Sequence, residues 1–311
     1  MEPSSEESFT SHIKSSKLRN QWSWLCHIIK RYQKLGILPR WIFSSGQPVS
    51  LPFFILLLFF ILSIGVVWRR SSHCSHIFID LGSNVGDSIE KFVDPYNHQY
   101  RHSYLAKIVR EHKWQAKDFC IYGFEGNPRF KEKLANLEKF LGSVTKRIQI
   151  FTETVVTTQN GLVPFYLDEN SYQHNFWGSS LIASHRDVWM SGKKSIQVYG
   201  IDFSSFLAQV LGCSFRSCKD RRKAKTVIVQ MDVEGEEYSI LRQLLMRNML
   251  CGVIDYLLVE FHSHAFRLDD NTTVKGAPPL EFEKCFHWLA QHPECKTTVI
   301  TQGLVDDYQN V

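Results

Sequence analysis

The chain has 311 residues, of which 44% are hydrophobic and 22% are charged, and its formal net charge is +5. This composition is too apolar for a disordered chain and is ordinary for a folded one. The basic residues are scattered along the chain apart from one short run at residues 219–225, so the charge pattern does not suggest nucleic acid as a partner.

Residues 49–68 form an uncharged, apolar run. About 20 such residues span a hydrocarbon core of about 30 Å as a helix, so the run is long enough for a membrane anchor. It begins too far along the chain for a cleaved signal peptide. We therefore expect a partly disordered N-terminal tail at residues 1–48, a single transmembrane helix at residues 49–68 that holds the chain in the membrane, and one folded domain at residues 73–311.

The chain contains eight cysteines but no C-x-x-C pair, which argues against a zinc ribbon. Cys120 and Cys251 lie in apolar stretches and are expected to be buried thiols. Two pairs are close enough in sequence to form disulfides in an oxidising compartment: Cys213 with Cys218, and Cys285 with Cys295.

Asn271 begins an Asn-Thr-Thr triplet, an acceptor sequence for N-glycosylation. The basic residues around the anchor only slightly favour a cytosolic N-terminus. Together with the cysteines, the triplet favours a type II protein whose catalytic domain lies in the lumen of the Golgi or the endoplasmic reticulum.

Strands and helices alternate after the anchor. We expect strands at residues 77–80, 119–124, 148–156, 162–167, 196–199, 226–231, 254–260 and 297–301. We expect helices at residues 87–93, 128–141, 203–211, 236–249 and 282–291, an inserted loop with one helix at 98–117, and a long irregular segment at 168–194. This order predicts an α/β fold with a doubly wound, mostly parallel sheet.

Ligands of doubly wound sheets bind at the carboxyl ends of the strands, near the point where the strand order reverses. Four acidic residues come at predicted strand ends: Asp80, Glu125, Asp232 and Glu260. The functional prediction depends on this coincidence.

Residues 80–86 read DLGSNVG, a D-x-G-x-N-x-G pattern directly after a predicted strand. The glycines allow a tight turn close to a ligand, and the following helix offers free N–H groups. A dinucleotide site would instead have the spacing G-x-G-x-x-G. The leading carboxylate of Asp80 suits a ligand with a positive ammonium group and no phosphates, and S-adenosylmethionine is such a ligand.

Glu125, at the end of the second predicted strand, is placed to accept hydrogen bonds from two vicinal ribose hydroxyls. Residues 231–237 read MDVEGEE and bring further carboxylates to a strand-to-helix junction. Glu236 and Glu237 suit the first turn of a helix electrostatically, whereas Asp232 and Glu234 are expected to point into the cleft.

Three stretches together resemble the FkbM family of methyltransferases: residues 79–86 (IDLGSNVG), 124–128 (FEGNP) and 231–238 (MDVEGEEY). The resemblance covers roughly residues 77–262. It implies a class I methyltransferase fold, which is Rossmann-like, and O-methylation with S-adenosylmethionine. By position, it implies that Asp80, Gly82, Asn84 and Gly86 line the cofactor, that Glu125 holds its ribose, and that Asp232 lies near its methionine part.

The anchor, the insertion at 98–117 and the segment at 168–194 depart from the family pattern and leave the acceptor open. A glycan, a glycoconjugate or another small hydroxyl compound fits this prediction. In-line attack of a hydroxyl on the sulfonium methyl group needs alignment and a base. His262 and Glu234 are the candidate catalytic bases. A divalent metal among Asp232, Glu234 and His262 is chemically feasible, but no ligand spacing demands one, and the sequence predicts none.

Two alternatives remain at this point. A nicotinamide-dependent oxidoreductase would share the fold but would normally carry G-x-G-x-x-G. A membrane-anchored binding module that has lost its chemistry would also share it, although the set of cofactor residues is intact.

Overall fold

The computed structural model describes residues 74–218, 224–266 and 281–301. The chain divides into two units, Met1–Arg70 and Ser71–Val311, and every described residue belongs to the second. None of the helices in the described ranges is long and apolar enough to cross a membrane. The predicted anchor at residues 49–68 and the predicted tail at residues 1–48 lie outside the described residues, so both stay predictions.

Six parallel strands form the main sheet, in the order β3-β2-β1-β7-β8-β9. They are β1 (His76–Leu81), β2 (Phe119–Glu125), β3 (Arg147–Thr152), β7 (Thr226–Met231), β8 (Tyr256–Val259) and β9 (Thr298–Ile300). The order reverses between β1 and β7, which is the arrangement of a doubly wound, Rossmann-like sheet. The predicted α/β fold and mostly parallel sheet are confirmed.

Helices cover both faces of this sheet. They are α1 (Asp87–Val93), α2 (Tyr104–Glu111), α3 (Lys131–Leu141), α4 (Arg186–Met190), α5 (Phe203–Leu211), α6 (Glu237–Met246) and α7 (Phe282–Ala290). The predicted helix start at Pro128 is instead a short 3-10 turn, Pro128–Phe130, that leads into α3.

The strands of the main sheet are buried on both faces, so their residues form two separate cores. Alternate residues of β1 divide between them, with Ile77 and Ile79 on one face and Phe78 on the other. Helices α5 and α6 pack on the first face, and α1, α2 and α3 pack on the second. Burial on both sides explains why the strands read as nearly continuous apolar runs rather than as alternating patterns.

A second sheet of three strands lies outside the main one. Its order is β4-β6-β5, from β4 (Thr154–Thr157), β5 (Gly161–Tyr166) and β6 (Ser195–Asp202), and β5 runs antiparallel to β6. The sequence predicted one strand across residues 148–156, and this is wrong. Glu153 adopts a left-handed conformation with φ 53°, which interrupts the extended chain and separates β3 from β4.

Three disulfides cross-link the described residues: Cys74–Cys120, Cys213–Cys218 and Cys251–Cys295. The predicted pair Cys213–Cys218 is confirmed. The predicted pair Cys285–Cys295 is wrong, and so is the expectation of thiols at Cys120 and Cys251. Cys251 and Cys295 precede the neighbouring parallel strands β8 and β9, whose amino ends meet at one edge of the sheet, whereas Cys285 lies exposed on α7 as a free thiol.

Reduction of the disulfides is expected to lower stability strongly. The bridges Cys74–Cys120 and Cys251–Cys295 close loops with sequence separations of 46 and 44 residues, and loops of this length correspond to about 4 kcal/mol each in the chain-entropy model. Urea unfolding with and without dithiothreitol measures the effect. Cys285→Ser is the matched control, because this free cysteine contributes no cross-link. Equal midpoints under both conditions would contradict the pairing.

Candidate functional site

The turn after β1 packs directly against the carboxyl end of β7. The backbone N–H groups of Gly82 and Ser83 both donate to the carbonyl of Phe124 in β2, over 3.1 and 2.9 Å. The carbonyl oxygen of Asp232 lies 1.8 Å from the position that a Cβ atom on residue 82 would occupy. The predicted glycine turn therefore joins the ends of three neighbouring strands at the place where the strand order reverses.

Glu125 holds this turn through both of its carboxylate oxygens. Oε2 accepts a hydrogen bond from the backbone N–H of Asn84 over 2.6 Å, and Oε1 accepts one from the backbone N–H of Asn127 over 2.6 Å. The side chain is buried, and each oxygen keeps a second lone pair. The carboxylate is thus fixed in place and still able to accept a hydrogen bond from a ligand on each oxygen.

Burial raises the pKa of Glu125 to about 7, although the backbone donors Asn127 and Asn84 oppose the shift. Burial likewise raises the pKa of Asp80 and of Glu236 to about 7. These acids keep their protons in the folded chain at pH values where the unfolded chain has lost them.

Stability is therefore expected to fall as the pH rises from about 4.5 to about 7, because in this window the folded state binds more protons than the unfolded state. These shifts correspond to about 3 kcal/mol for each of the two glutamates and about 4 kcal/mol for Asp80. Urea unfolding at pH 5, 6, 7 and 8 measures the slope, and Glu125→Gln should make it shallower. A free energy of unfolding that is constant between pH 5 and 7 would contradict the shifts.

A cavity of about 310 Å³ opens beside the turn. Four of the six predicted cofactor residues line it: Gly82, Asn84, Glu125 and Asp232. Asp80 and Gly86 lie outside its wall. Asp80 is 1% exposed and its Oδ2 has no hydrogen-bond partner among the described residues, so it sits behind the turn. The cofactor roles of all six residues remain predictions.

The segment at residues 168–194 forms the opposite wall. It contributes Phe176, Trp177 and Ser179 to the cavity. The side chain of Asn84 donates to the carbonyl of Asn175 over 3.0 Å, and the guanidinium of Arg129 lies over the Phe176 ring at 4.2 Å. Contacts from the turns that follow β1 and β2 therefore anchor this segment in the wall of the cavity.

The second sheet also contributes to the cavity, through Thr154, Val155 and Phe165. Nothing in the local pattern of these residues marked them, because their position depends on the packing of one sheet against another. Lys91, Ser88 and Gln230 line the cavity as well and were not predicted either.

The two predicted bases lie together at the far side of the cavity. His262 Nε2 lies 3.6 Å from Glu234 Oε1, 3.5 Å from Asp232 Oδ1 and 3.6 Å from Glu260 Oε1. His262 is 5% exposed. The sequence placed these residues at neighbouring strand ends, and the parallel sheet brings them into one cluster.

His185 also belongs to this cluster, and sequence reasoning missed it. Its Nε2 lies 2.9 Å from Glu234 Oε2, and its Nδ1 accepts the backbone N–H of Asp187 over 3.3 Å. The proton is therefore on Nε2, which donates to Glu234. Burial lowers the pKa of His185 to about 4, in keeping with a neutral ring.

The pKa values of Glu234, Asp232 and His262 shift in the opposite direction. Burial raises the pKa of Glu234 to about 8 and that of Asp232 well above its usual range; the His262 imidazole opposes both shifts, and the acidic neighbours add to them. Burial alone would lower the pKa of His262, but the carboxylates of Glu234, Glu237 and Glu260 raise it well above 6.5. At neutral pH the imidazole is thus the cation of an otherwise acidic cluster.

No family model and no curated protein matches the chain. Among solved structures, the chain is similar to the crystal structure of methyltransferase FkbM from Methylobacillus flagellatus KT, with 13% sequence identity and a TM-score of 0.27. The similarity covers 56% of this chain and 30% of that one. A likeness of this size carries no information on activity.

Proposed function

We propose that the chain is an S-adenosylmethionine-dependent methyltransferase of class I that methylates a hydroxyl oxygen of its acceptor. The observation that carries the proposal is the position of Glu125, whose fixed carboxylate faces the cavity at the point where the strand order reverses. A pair of oxygens held in this way suits the two vicinal hydroxyls of a ribose.

The charge of the cavity supports a cationic cofactor over a nucleotide with phosphates. Among the described residues that line it, the only lysine or arginine is Lys91, whose amino group lies 2.8 Å from Asp87. A sulfonium or ammonium group beside these carboxyls lowers their raised pKa values and is attracted by the ionised form, whereas a diphosphate is repelled by it. The wall has six acidic residues: Asp87, Glu125, Asp232, Glu234, Glu236 and Glu260.

In the proposed reaction, the acceptor oxygen attacks the methyl carbon in line with the carbon–sulfur bond. The new carbon–oxygen bond forms as the carbon–sulfur bond breaks, and S-adenosylhomocysteine leaves as a neutral thioether. Because the pKa values of Glu234 and His262 are raised, the hydroxyl proton passes to one of them only in chains where that group has lost its own proton, a fraction that grows as the pH rises. Alignment of the two reactants supplies most of the acceleration.

Binding and turnover test this proposal separately. Isothermal titration calorimetry of the full chain should show binding of S-adenosylmethionine and none of NAD. Release of S-adenosylhomocysteine in the presence of glycans, glycoconjugates or small hydroxyl compounds then identifies the acceptor class. Binding of NAD in place of S-adenosylmethionine would favour the oxidoreductase, and cofactor binding without product on any acceptor would favour the non-catalytic module.

The proposed location is the lumen of the Golgi or the endoplasmic reticulum, with residues 49–68 as a single-pass anchor. The three disulfides among the described residues support an oxidising compartment. The glycosylation triplet at Asn271, which lies outside the described residues, gives a direct test. Treatment of the cellular protein with an N-glycosidase should reduce its apparent mass, and Asn271→Gln should remove this change. An unmodified Asn271 together with reduced cysteines would place the domain in the cytosol.

A further inference from the structure

The cluster around His262 is spaced for an ion rather than for hydrogen bonds. Its Nε2 stands 3.5 to 3.6 Å from oxygens of Asp232, Glu234 and Glu260, whereas a charge-assisted hydrogen bond would be about 2.7–2.9 Å long. Asp232 Oδ1 has no hydrogen-bond partner within the described ranges although it is shielded from solvent.

Ligands of one small divalent ion stand at this kind of distance from each other. Bonds of about 2.1 Å place neighbouring ligand atoms about 3.0 Å apart in octahedral geometry and about 3.4 Å apart in tetrahedral geometry. The ligand atoms of Asp232, Glu234 and His262 all lie within 4.8 Å of one another. We propose that Asp232, Glu234 and His262 bind a divalent metal ion, with Glu260 beside them as a further oxygen ligand.

The surroundings of His262 give a second, independent reason. The residue is 5% exposed, its Nε2 points at the three carboxylates, and its Nδ1 lies 3.3 Å from Glu237 Oε1, in a geometry that does not form a hydrogen bond. Glu237 is fully buried, and the backbone N–H groups of Gly235 and His262 donate to it over 2.8 and 2.5 Å. A metal-bound imidazole commonly has a fixed carboxylate at its other nitrogen, because this partner sets the tautomer and orients the ring.

Glu234 is held in position from the opposite side. Its backbone has φ 51°, its carbonyl accepts a hydrogen bond from the Ser180 hydroxyl over 2.6 Å, and its Oε2 accepts one from His185. Oε1 is left to face His262. Because His185 uses its Nε2 proton for this bond, His185 is a positioning residue for Glu234 rather than a ligand.

A second group of potential ligands shares Glu234 with the first and consists of His185, Glu234 and His264. His264 is exposed, and the tautomer of His185 disfavours coordination. The first group is therefore the proposed site. The mixture of one imidazole and several carboxylates suits ions such as Mn²⁺ or Zn²⁺.

The role of the ion rests on the proposed function. An ion at this place would bind the acceptor hydroxyl and make it more acidic. In that case His262 and Glu234 would contribute to catalysis as ligands in place of the direct proton transfer proposed above, and the hydroxyl proton would pass to solvent water. A metal ion in this position would therefore favour acceptors that carry a hydroxyl group.

The full chain, treated with EDTA and dialysed, is titrated with Mn²⁺ in the absence of S-adenosylmethionine, and free Mn²⁺ is measured by electron paramagnetic resonance. We expect one ion per chain, which Zn²⁺ displaces, with nitrogen coupling from one imidazole in the spin-echo spectrum. Asp232→Asn and His262→Gln should each weaken binding at least 100-fold. His287→Gln, on the exposed surface of α7, is the matched control and should bind as the unchanged chain does.

The proposal is overturned if the unchanged chain binds neither Mn²⁺ nor Zn²⁺, if the spectrum shows no imidazole nitrogen, or if folded His262→Gln binds normally. Loss of binding in His264→Ala with retention in His262→Gln would move the ion to the second group and overturn the assignment. Metal binding without methyl transfer would refute the proposed function and leave the metal site standing.

Discussion

Replacing Gly82 by alanine is expected to lower the affinity for S-adenosylmethionine at least about 100-fold and the free energy of unfolding by about 3 kcal/mol. Gly82 has φ 87°, and a Cβ atom there would stand 1.8 Å from the carbonyl oxygen of Asp232. Since that atom belongs to the backbone, no side-chain rotation can relieve the overlap. The turn must move away from β7, and two walls of the cavity then separate.

Gly192→Ala isolates the contribution of the clash. Gly192 has a similar φ of 73°, but nothing lies within 4 Å of its potential Cβ. The left-handed conformation alone costs about 1–2 kcal/mol, and cofactor affinity should not change. Urea unfolding and calorimetry measure both quantities. If Gly82→Ala is no more damaging than Gly192→Ala, the approach of the two backbones does not constrain the site.

Replacing Glu125 by glutamine is expected to weaken binding of S-adenosylmethionine about 100-fold with a much smaller effect on stability. Both oxygens of Glu125 accept backbone N–H groups over 2.6 Å. An amide has only one oxygen, so its NH₂ group would face either the Asn84 or the Asn127 donor, and one of these donors would lose its partner. The free energy of unfolding should fall only slightly, because removal of a buried acid with a raised pKa offsets part of the lost hydrogen bond.

Glu138→Gln is the control for this variant. Glu138 accepts the backbone N–H of Ile150 over 2.5 Å, but it does not line the cavity. The same change of chemistry there should leave cofactor affinity within about twofold. Calorimetric titration of both variants decides the matter, and equal affinities would remove Glu125 from the proposed ribose site.

The sequence predicted the main sheet well because its strands and turns are encoded locally. Buried strands read as short apolar runs, and the acidic residue that ends each run comes at the carboxyl edge. The sequence could therefore predict that Glu125 and Asp232 lie at one cavity, with His262 near them.

The parts that sequence reasoning missed depend on contacts between distant segments. The break at Glu153 and the antiparallel pairing of β5 with β6 follow from the packing of the second sheet. The disulfide partner of Cys295 is determined by the order of β8 and β9. His185 reaches Glu234 from the segment at residues 168–194, whose irregular sequence pattern did not predict where the segment packs.

The cross-links and the proposed chemistry occupy opposite ends of the main sheet. Cys74–Cys120 and Cys251–Cys295 join the amino ends of adjacent strands, while the cavity lies at their carboxyl ends, about 20 Å away for strands of six residues. A substitution that stabilises the disulfide end of the sheet therefore does not touch the cavity, and a substitution in the cavity does not touch the disulfides. Loops at the carboxyl ends can therefore vary while the disulfides hold the strands together at the other end.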